Sequence, residues 1–242
     1  DASFMFKPGR NTALSISLRR YSKSGVKSLG AALLNETGTQ GLVLPEPVNY
    51  ATDEFRTGFD WQGQRSQVNL EYYYSRFTNS DKSLIWANPF TDPVGQPPYP
   101  DQGRSSLPPD NQHQRFSLGG SIELTASSRL SALYEKGSMT QNETFLPYTI
   151  NSLSTITVPL PRSAADAQVD TTLFKLALAA RPLSRLSVHA SYRHYQADNK
   201  TPRDLYLRVV NDTSNQALPT QIEAKYNQPY DTVRDQLKLE GS

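Results

Sequence analysis

Apolar and polar residues alternate along much of this chain with a period of two. Over 65–77, Val68, Leu70, Tyr72 and Tyr74 take one side, and Gln67, Asn69, Glu71 and Tyr73 the other. Over 115–124, Phe116, Leu118, Gly120, Ile122 and Leu124 oppose Arg115, Ser117, Gly119, Ser121 and Glu123. Over 185–195, Leu186, Val188, Ala190 and Tyr192 oppose Ser187, His189, Ser191 and Arg193. A period of two is the signature of a strand with one apolar and one polar face. Residues 14–18 and 55–61 repeat it. Weaker strands are expected over 26–34, at 130–134, where Leu133 interrupts the polar side, over 174–180, and from Val233, where Asp235 blemishes the apolar side. The expectation is about nine strands, mostly near the ~9–11 residues that cross a bilayer at a tilt.

Connection lengths sharpen the picture. Tight turns are predicted at 22–25, 62–64, 125–128 and 181–184, and long loops at 35–53, 78–112, 139–167 and 198–231. Short and long alternate throughout. The long segments carry Pro, Asn, Asp and Gly, which remove ladder donors or tolerate turn dihedrals. Tight turns on one side and long loops on the other describe an antiparallel up-and-down transmembrane β-barrel, with short periplasmic turns and long extracellular loops. In such a barrel Val68, Leu70, Ile122, Val188 and Ala190 would face lipid. Gln67, Asn69, Glu71, Tyr73, Ser117, Glu123, Ser187, His189 and Arg193 would face the lumen. Tyr74, Tyr134 and Tyr192 at the long-loop ends, and Trp61 beside a short turn, sit where aromatic girdles form. A soluble sandwich or solenoid would alternate too, but loops of 20 to 35 residues are uncommon in compact soluble domains, where ~4–6 is usual.

Composition agrees. The chain has 242 residues, of which only 36% are hydrophobic, yet it holds 13 Tyr, 9 Phe and 2 Trp. Such aromatic content disfavours disorder, and no apolar run approaches the ~18 residues of a transmembrane helix. A net charge of +2 is too balanced for a nucleic-acid partner. No signal peptide is visible at the start, and the last residues read as the inside of a strand. The expectation is therefore one partial domain over 1–242, several consecutive hairpins of a larger barrel.

Chemistry-bearing motifs are sparse, and nothing predicts an enzyme: there is no catalytic or metal-site motif. With no Cys, Cys-ligated metals and covalent c-type haem are excluded from this chain. His189 and His194 are five apart on one strand and point to opposite faces. Asp92, Asp101 and Asp110 lack Ca²⁺-ligand spacing and read as solvated. Arg162 with Asp166, and Arg203 with Asp204, read as loop-ordering pairs.

Several segments resemble the MtrB/PioB family of decahaem-cytochrome-associated outer-membrane proteins. They are Pro45-Glu46-Pro47-Val48-Asn49-Tyr50, Trp86-Ala87-Asn88-Pro89-Phe90, Leu146-Pro147-Tyr148-Thr149-Ile150-Asn151, Leu160-Pro161-Arg162-Ser163, Val169-Asp170-Thr171-Thr172-Leu173, Ala180-Arg181-Pro182-Leu183 and Asp198-Asn199-Lys200-Thr201-Pro202-Arg203-Asp204. Their order and spacing run over most of the chain. The resemblance implies a barrel in the outer membrane of a Gram-negative bacterium that sheathes a periplasmic multihaem c-type cytochrome. Such a barrel supports electron transfer across that membrane as one component of an extracellular electron-transfer conduit. It implies no cofactor on this chain, because the partner carries the haems, and an extracellular multihaem cytochrome is a second implied partner. The alternating residues alone also fit a diffusion porin or solute transporter, with 78–112 as a constricting loop, or a secreted β-protein acting in adhesion.

Overall fold

The computed structural model describes residues 1–35, 38–89, 101–150, 152, 158–183, 185–209 and 222–241. Asp92 lies outside them. Among the described residues the chain is built from strands: β1 (Ala2–Gly9), β2 (Thr12–Asn35), β3 (Gly38–Gln62), β4 (Ser66–Asn79), β5 (Ser83–Ala87) and β6 (Gln102–Ser106). There follow β7 (Asn111–Thr125), β8 (Ser128–Gln141), β9 (Ala167–Leu183), β10 (Leu186–Asn199), β11 (Leu205–Val209), β12 (Ile222–Tyr226) and β13 (Thr232–Gly241). One nine-stranded sheet runs in the order β1-β2-β3-β4-β7-β8-β9-β10-β13, and β5-β6 and β11-β12 form two small hairpins within the long loops. Every pair in the large sheet is antiparallel. This is a meander, and β1 and β13 are its edges: part of a barrel, not a closed one.

Nine strands agree with the sequence reading, but by a different route. β1 was not expected. Residues 26–34, expected as a separate strand, continue β2, and the turn expected at 22–25 does not exist. Ser22, Lys23, Ser24 and Gly25 pair in register with Ala51, Tyr50, Asn49 and Val48. Gly25 takes a φ of 144°, which L side chains rarely adopt, and the strand continues through it. β3 starts at Gly38, inside the expected loop 35–53, so β2 and β3 form one long hairpin, paired without a break from Thr12–Trp61 to Asn35–Gly38. The first short turn instead joins Gly9 to Thr12. β2 and β3 are separated by two residues only, so the expected alternation of short and long connections holds from β3 onward and not before it.

Exposure separates a barrel wall from a soluble sheet. Ser117, on the polar face of β7, is only 5% exposed, while its neighbours Phe116 and Leu118 on the apolar face are 45% and 42% exposed. Leu237 and Leu239 of β13 are 82% and 74% exposed. The buried hydrophobic residues among those described, Val48, Leu107, Val158, Ala164 and Val209, all lie toward the long-loop end. A soluble monomer does not leave an apolar surface of this extent in water. A barrel in lipid requires it.

Candidate functional site

Cross-strand register puts all nine expected lumen residues on one face. Gln67, Asn69, Glu71 and Tyr73 of β4 sit opposite Ser121, Gly119, Ser117 and Arg115 of β7. Ser117 and Glu123 face Glu135 and Arg129 of β8, and Arg129 faces Ala179 of β9. Ala179 in turn faces His189 of β10, and Arg193 faces Lys175. Ser187, two residues before His189, shares that face. The register carries the polar side across the sheet without a change of parity.

Mid-wall, these residues are knitted together. Arg115 donates to Glu71 at 3.0 Å and lies 3.8 Å from Glu135. The Ser117 hydroxyl donates to Glu135 at 3.0 Å, and the Tyr73 hydroxyl donates to Glu54 of β3 at 3.0 Å. Arg56 and Arg115 stack on the Tyr73 ring from 4.9 and 5.7 Å, and His113 meets its edge at 5.6 Å. Arginine suits this place because its planar head pairs and stacks at once. Glu54, Arg56, Arg115 and Glu135 were not among the expected site residues. Their parity marks them as polar-face residues, but their partnership depends on the register between strands, which no single strand discloses.

The remaining expected residues fall into two hollows near the short turns. Glu123, Ser187 and His189 line one of about 1080 Å³ with Arg129, Arg181 and Glu240. Gln67 and Asn69 line another of about 350 Å³ with Lys7, Arg10 and Asp60. Arg193 stands apart, 3.3 Å from Gln236 and stacked on Tyr195.

The apolar face carries its own surprise. Asp235, the blemish on β13, accepts from the Tyr192 hydroxyl at 2.7 Å and lies 2.8 Å from His194 Nδ1. These groups sit at the level of the aromatic residues Tyr134 and Phe174, which pair across β8 and β9. Aromatic belts mark where a chain leaves hydrocarbon for headgroups, so a hydrogen-bonded carboxylate there is satisfied rather than stranded.

At the long-loop end the loops interlock. Lys82 bridges Asp110 at 2.9 Å and Glu143 at 2.6 Å. Asp110 also accepts from the Asn79 amide at 2.8 Å, and its own amide donates to Glu143 at 2.8 Å. Asp110 is therefore tied into this cluster, where the sequence reading had it simply solvated. Arg162 pairs with Asp166 at 2.9 Å, as expected, and with Asp204 of the next loop at 2.5 Å. Arg203 instead stacks on Tyr226 at 4.7 Å. Arg104 donates to the Pro147 carbonyl, and the Tyr148 hydroxyl both donates to and accepts from the backbone of Val209.

A meander with an apolar outer face, an aromatic belt, tight turns at one end and interlocked loops at the other defines a segment of an outer-membrane β-barrel. The family described as "Putative outer membrane beta-barrel porin, MtrB/PioB" matches residues 1–242, and the chain belongs to it. A curated relative is Outer membrane protein MtrB of Shewanella baltica (strain OS185), 27% identical over 225 residues. That match covers 93% of this chain and 29% of the relative, so the chain spans under a third of the relative's length. Among solved structures, OmpT (in-vitro folded), an outer membrane protein of Vibrio cholerae, matches 99% of this chain and 52% of that one. It does so at 12% identity and a TM-score of 0.48. The protein is thus an outer-membrane protein of a Gram-negative bacterium; barrels of this class have short periplasmic turns and long extracellular loops, and the ends of the sheet are named accordingly.

Proposed function

We propose that this chain is part of a barrel wall that sheathes a periplasmic multihaem c-type cytochrome, so that electrons cross the outer membrane along the partner's haems. One observation carries the reading: in the middle of the wall the polar side is tied to itself, with Ser117 buried and Arg115 held between Glu71 and Glu135. Arg115 offsets one of its two flanking carboxylates, Glu71 and Glu135, and Arg56 lies 3.6 Å from Glu54, so most mid-wall charge is matched locally and the wall offers hydrogen-bonding side chains more than a field. That suits a surface against which another folded protein rests. A wide barrel has room for one. The apolar exterior and the hydrocarbon around it would insulate the haem chain. In this role the wall performs no redox step, and the haems belong to the partner.

The family resemblance supports the same reading. The test is to extract outer membranes holding the full-length protein in mild detergent, capture the barrel, and stain co-purifying bands for covalent haem. A stoichiometric multihaem partner is the expected result. A clean barrel without haem overturns the proposal, and single-channel conductance with candidate solutes would then be measured for the porin alternative.

A further inference from the structure

Charge is nearly balanced over the whole chain, at +2, but not along the barrel axis. At the extracellular end many bases have carboxylates beside them, Lys82 with Asp110 and Glu143, Arg162 with Asp166 and Asp204, Lys200 with Asp198, and others have neutral partners, Arg104 on the Pro147 carbonyl and Arg203 on Tyr226. At the periplasmic end most have no carboxylate beside them. Lys7, Arg10, Arg65, Arg129, Arg181 and Arg185 cluster around the short turns, and all are exposed. Among the described residues only Arg129 of these has a carboxylate within 4.0 Å, Glu123 at 3.8 Å.

Their placement is one-sided as well. Lys7 and Arg10 line the hollow that holds Gln67 and Asn69, and Arg129 and Arg181 line the larger one that holds Ser187 and His189. At the same level the apolar face presents Trp61, Leu124 and Leu183, all exposed. Bases meant for phospholipid headgroups would stand among those outward residues. Lys7, Arg10, Arg129 and Arg181 line the polar-side hollows instead, where they outnumber the carboxylates Asp60, Glu123 and Glu240. Unpaired guanidinium groups around a concave mouth raise the local concentration of an anionic partner and orient it on approach.

We infer that the periplasmic mouth is a docking surface for an acidic protein, and that the acidic surface belongs to the partner held in the lumen. The second half of this statement rests on the sheath reading above; the first does not. Arg10 and Arg181 are the residues to change, because both are exposed, each lines one of the hollows and neither has a carboxylate within 4.0 Å. The full-length protein carrying R10E/R181E is compared with wild type and with the charge-keeping R10K/R181K. Heat-modifiable gel mobility serves as the folding control, and R10Q/R181Q replaces the reversal if that control fails.

Haem-stained partner retained on the captured barrel is measured against NaCl concentration, and binding of poly-L-glutamate to the purified barrel is measured in parallel. Wild type should lose partner as salt rises. The reversal should hold about tenfold less at low salt, and the lysine variant should match wild type. Equal retention by the reversal overturns the mouth proposal and leaves the sheath reading standing. Absence of any haem band overturns the sheath reading, and poly-L-glutamate then decides the mouth alone. Binding about tenfold weaker to the reversal sustains an acid-recognising mouth, and equal binding removes it. Poly-L-glutamate binding that survives the reversal, with stabilisation by phosphatidylglycerol vesicles lost, would assign the bases to lipid and overturn the proposal.

Discussion

Gly119 and Gly120 stand side by side on β7, yet they set different limits on substitution. A Cβ at Gly119 would fall 2.4 Å from Asn69 Oδ1, the end of a side chain that can rotate away. A Cβ at Gly120 would fall 2.9 Å from the backbone oxygen of Gln67, which the β4–β7 ladder holds in place. G120A should therefore cost about 1–3 kcal/mol, as overpacking does, and G119A less than about 1. Urea midpoints of the full-length protein, read by heat-modifiable mobility, check this; equal midpoints would refute it. Glu135 offers a second contrast. It accepts from Ser117, whose hydroxyl is buried. E135Q keeps an acceptor there, whereas E135L strands the hydroxyl at a cost of about 1–3 kcal/mol. The charge lost in both variants matters less, because Arg115 is 37% exposed and solvent screens it. A midpoint for E135Q as low as that for E135L would show that charge, not hydrogen bonding, holds this part of the wall.

At the scale of elements, β2 and β3 overrun the membrane. A strand of 24 residues is roughly 80 Å long at ~3.3 Å per residue, against a hydrocarbon core of about 30 Å. The hairpin beyond Tyr21 and Thr52 therefore stands outside the cell. Val43, in that extension, is 72% exposed. Because the chain has no Cys, single cysteines introduced into it report cleanly. V43C should react with a membrane-impermeant maleimide in intact cells, S127C only after the outer membrane is opened, and V188C, facing lipid, in neither case. Labelling of S127C in intact cells would invert the orientation. This extension is also where periodicity misled. Ser22–Gly25 has turn chemistry, and only pairing with β3 shows that it is strand. β1 escaped notice because Met5 shares a side with Ser3, and Lys7-Pro8-Gly9 looks like a break; the proline falls where the β1–β2 register shifts, between Phe6 and Gly9, a place that tolerates it. By contrast β4, β7 and β10 were legible outright, since each keeps strict alternation over its lipid-crossing length. β8 was half legible: Leu133 spoils its polar side, and it fits because Gly119 opposite has no side chain. The same limit hid the Glu71–Arg115–Glu135 network, whose members lie on three strands.

For the molecule as a whole, order outside the membrane rests on charge where order inside rests on lipid. Three extracellular loops meet through Lys82, Asp110, Glu143, Arg162 and Asp204, and water-exposed pairs of this kind respond to pH. Burial pushes the Asp110 carboxyl up, but the Asn79 amide and the Lys82 ammonium outweigh it and hold it below the ordinary carboxylate value. Burial likewise pulls the Lys82 ammonium down, and Glu143 and Asp110 more than restore it, above the ordinary lysine value. The carboxylate's contribution is then present above its ordinary value of about 3.9 and lost as pH falls through the depressed one; the ammonium's is present below about 10.4 and lost above the raised one. The loop lock should be constant across the whole range between. Hydrogen exchange at the Asn79 amide, which donates to Asp110, reads this directly. Protection, corrected for the intrinsic rate, should hold from about pH 5 to 9 and fall in stronger acid, and again in alkali above the raised lysine value. D110A should lose it at every pH. Protection that drifts steadily between pH 5 and 9 would mean that some other titration governs the loops and that the Lys82–Asp110–Glu143 cluster does not hold them.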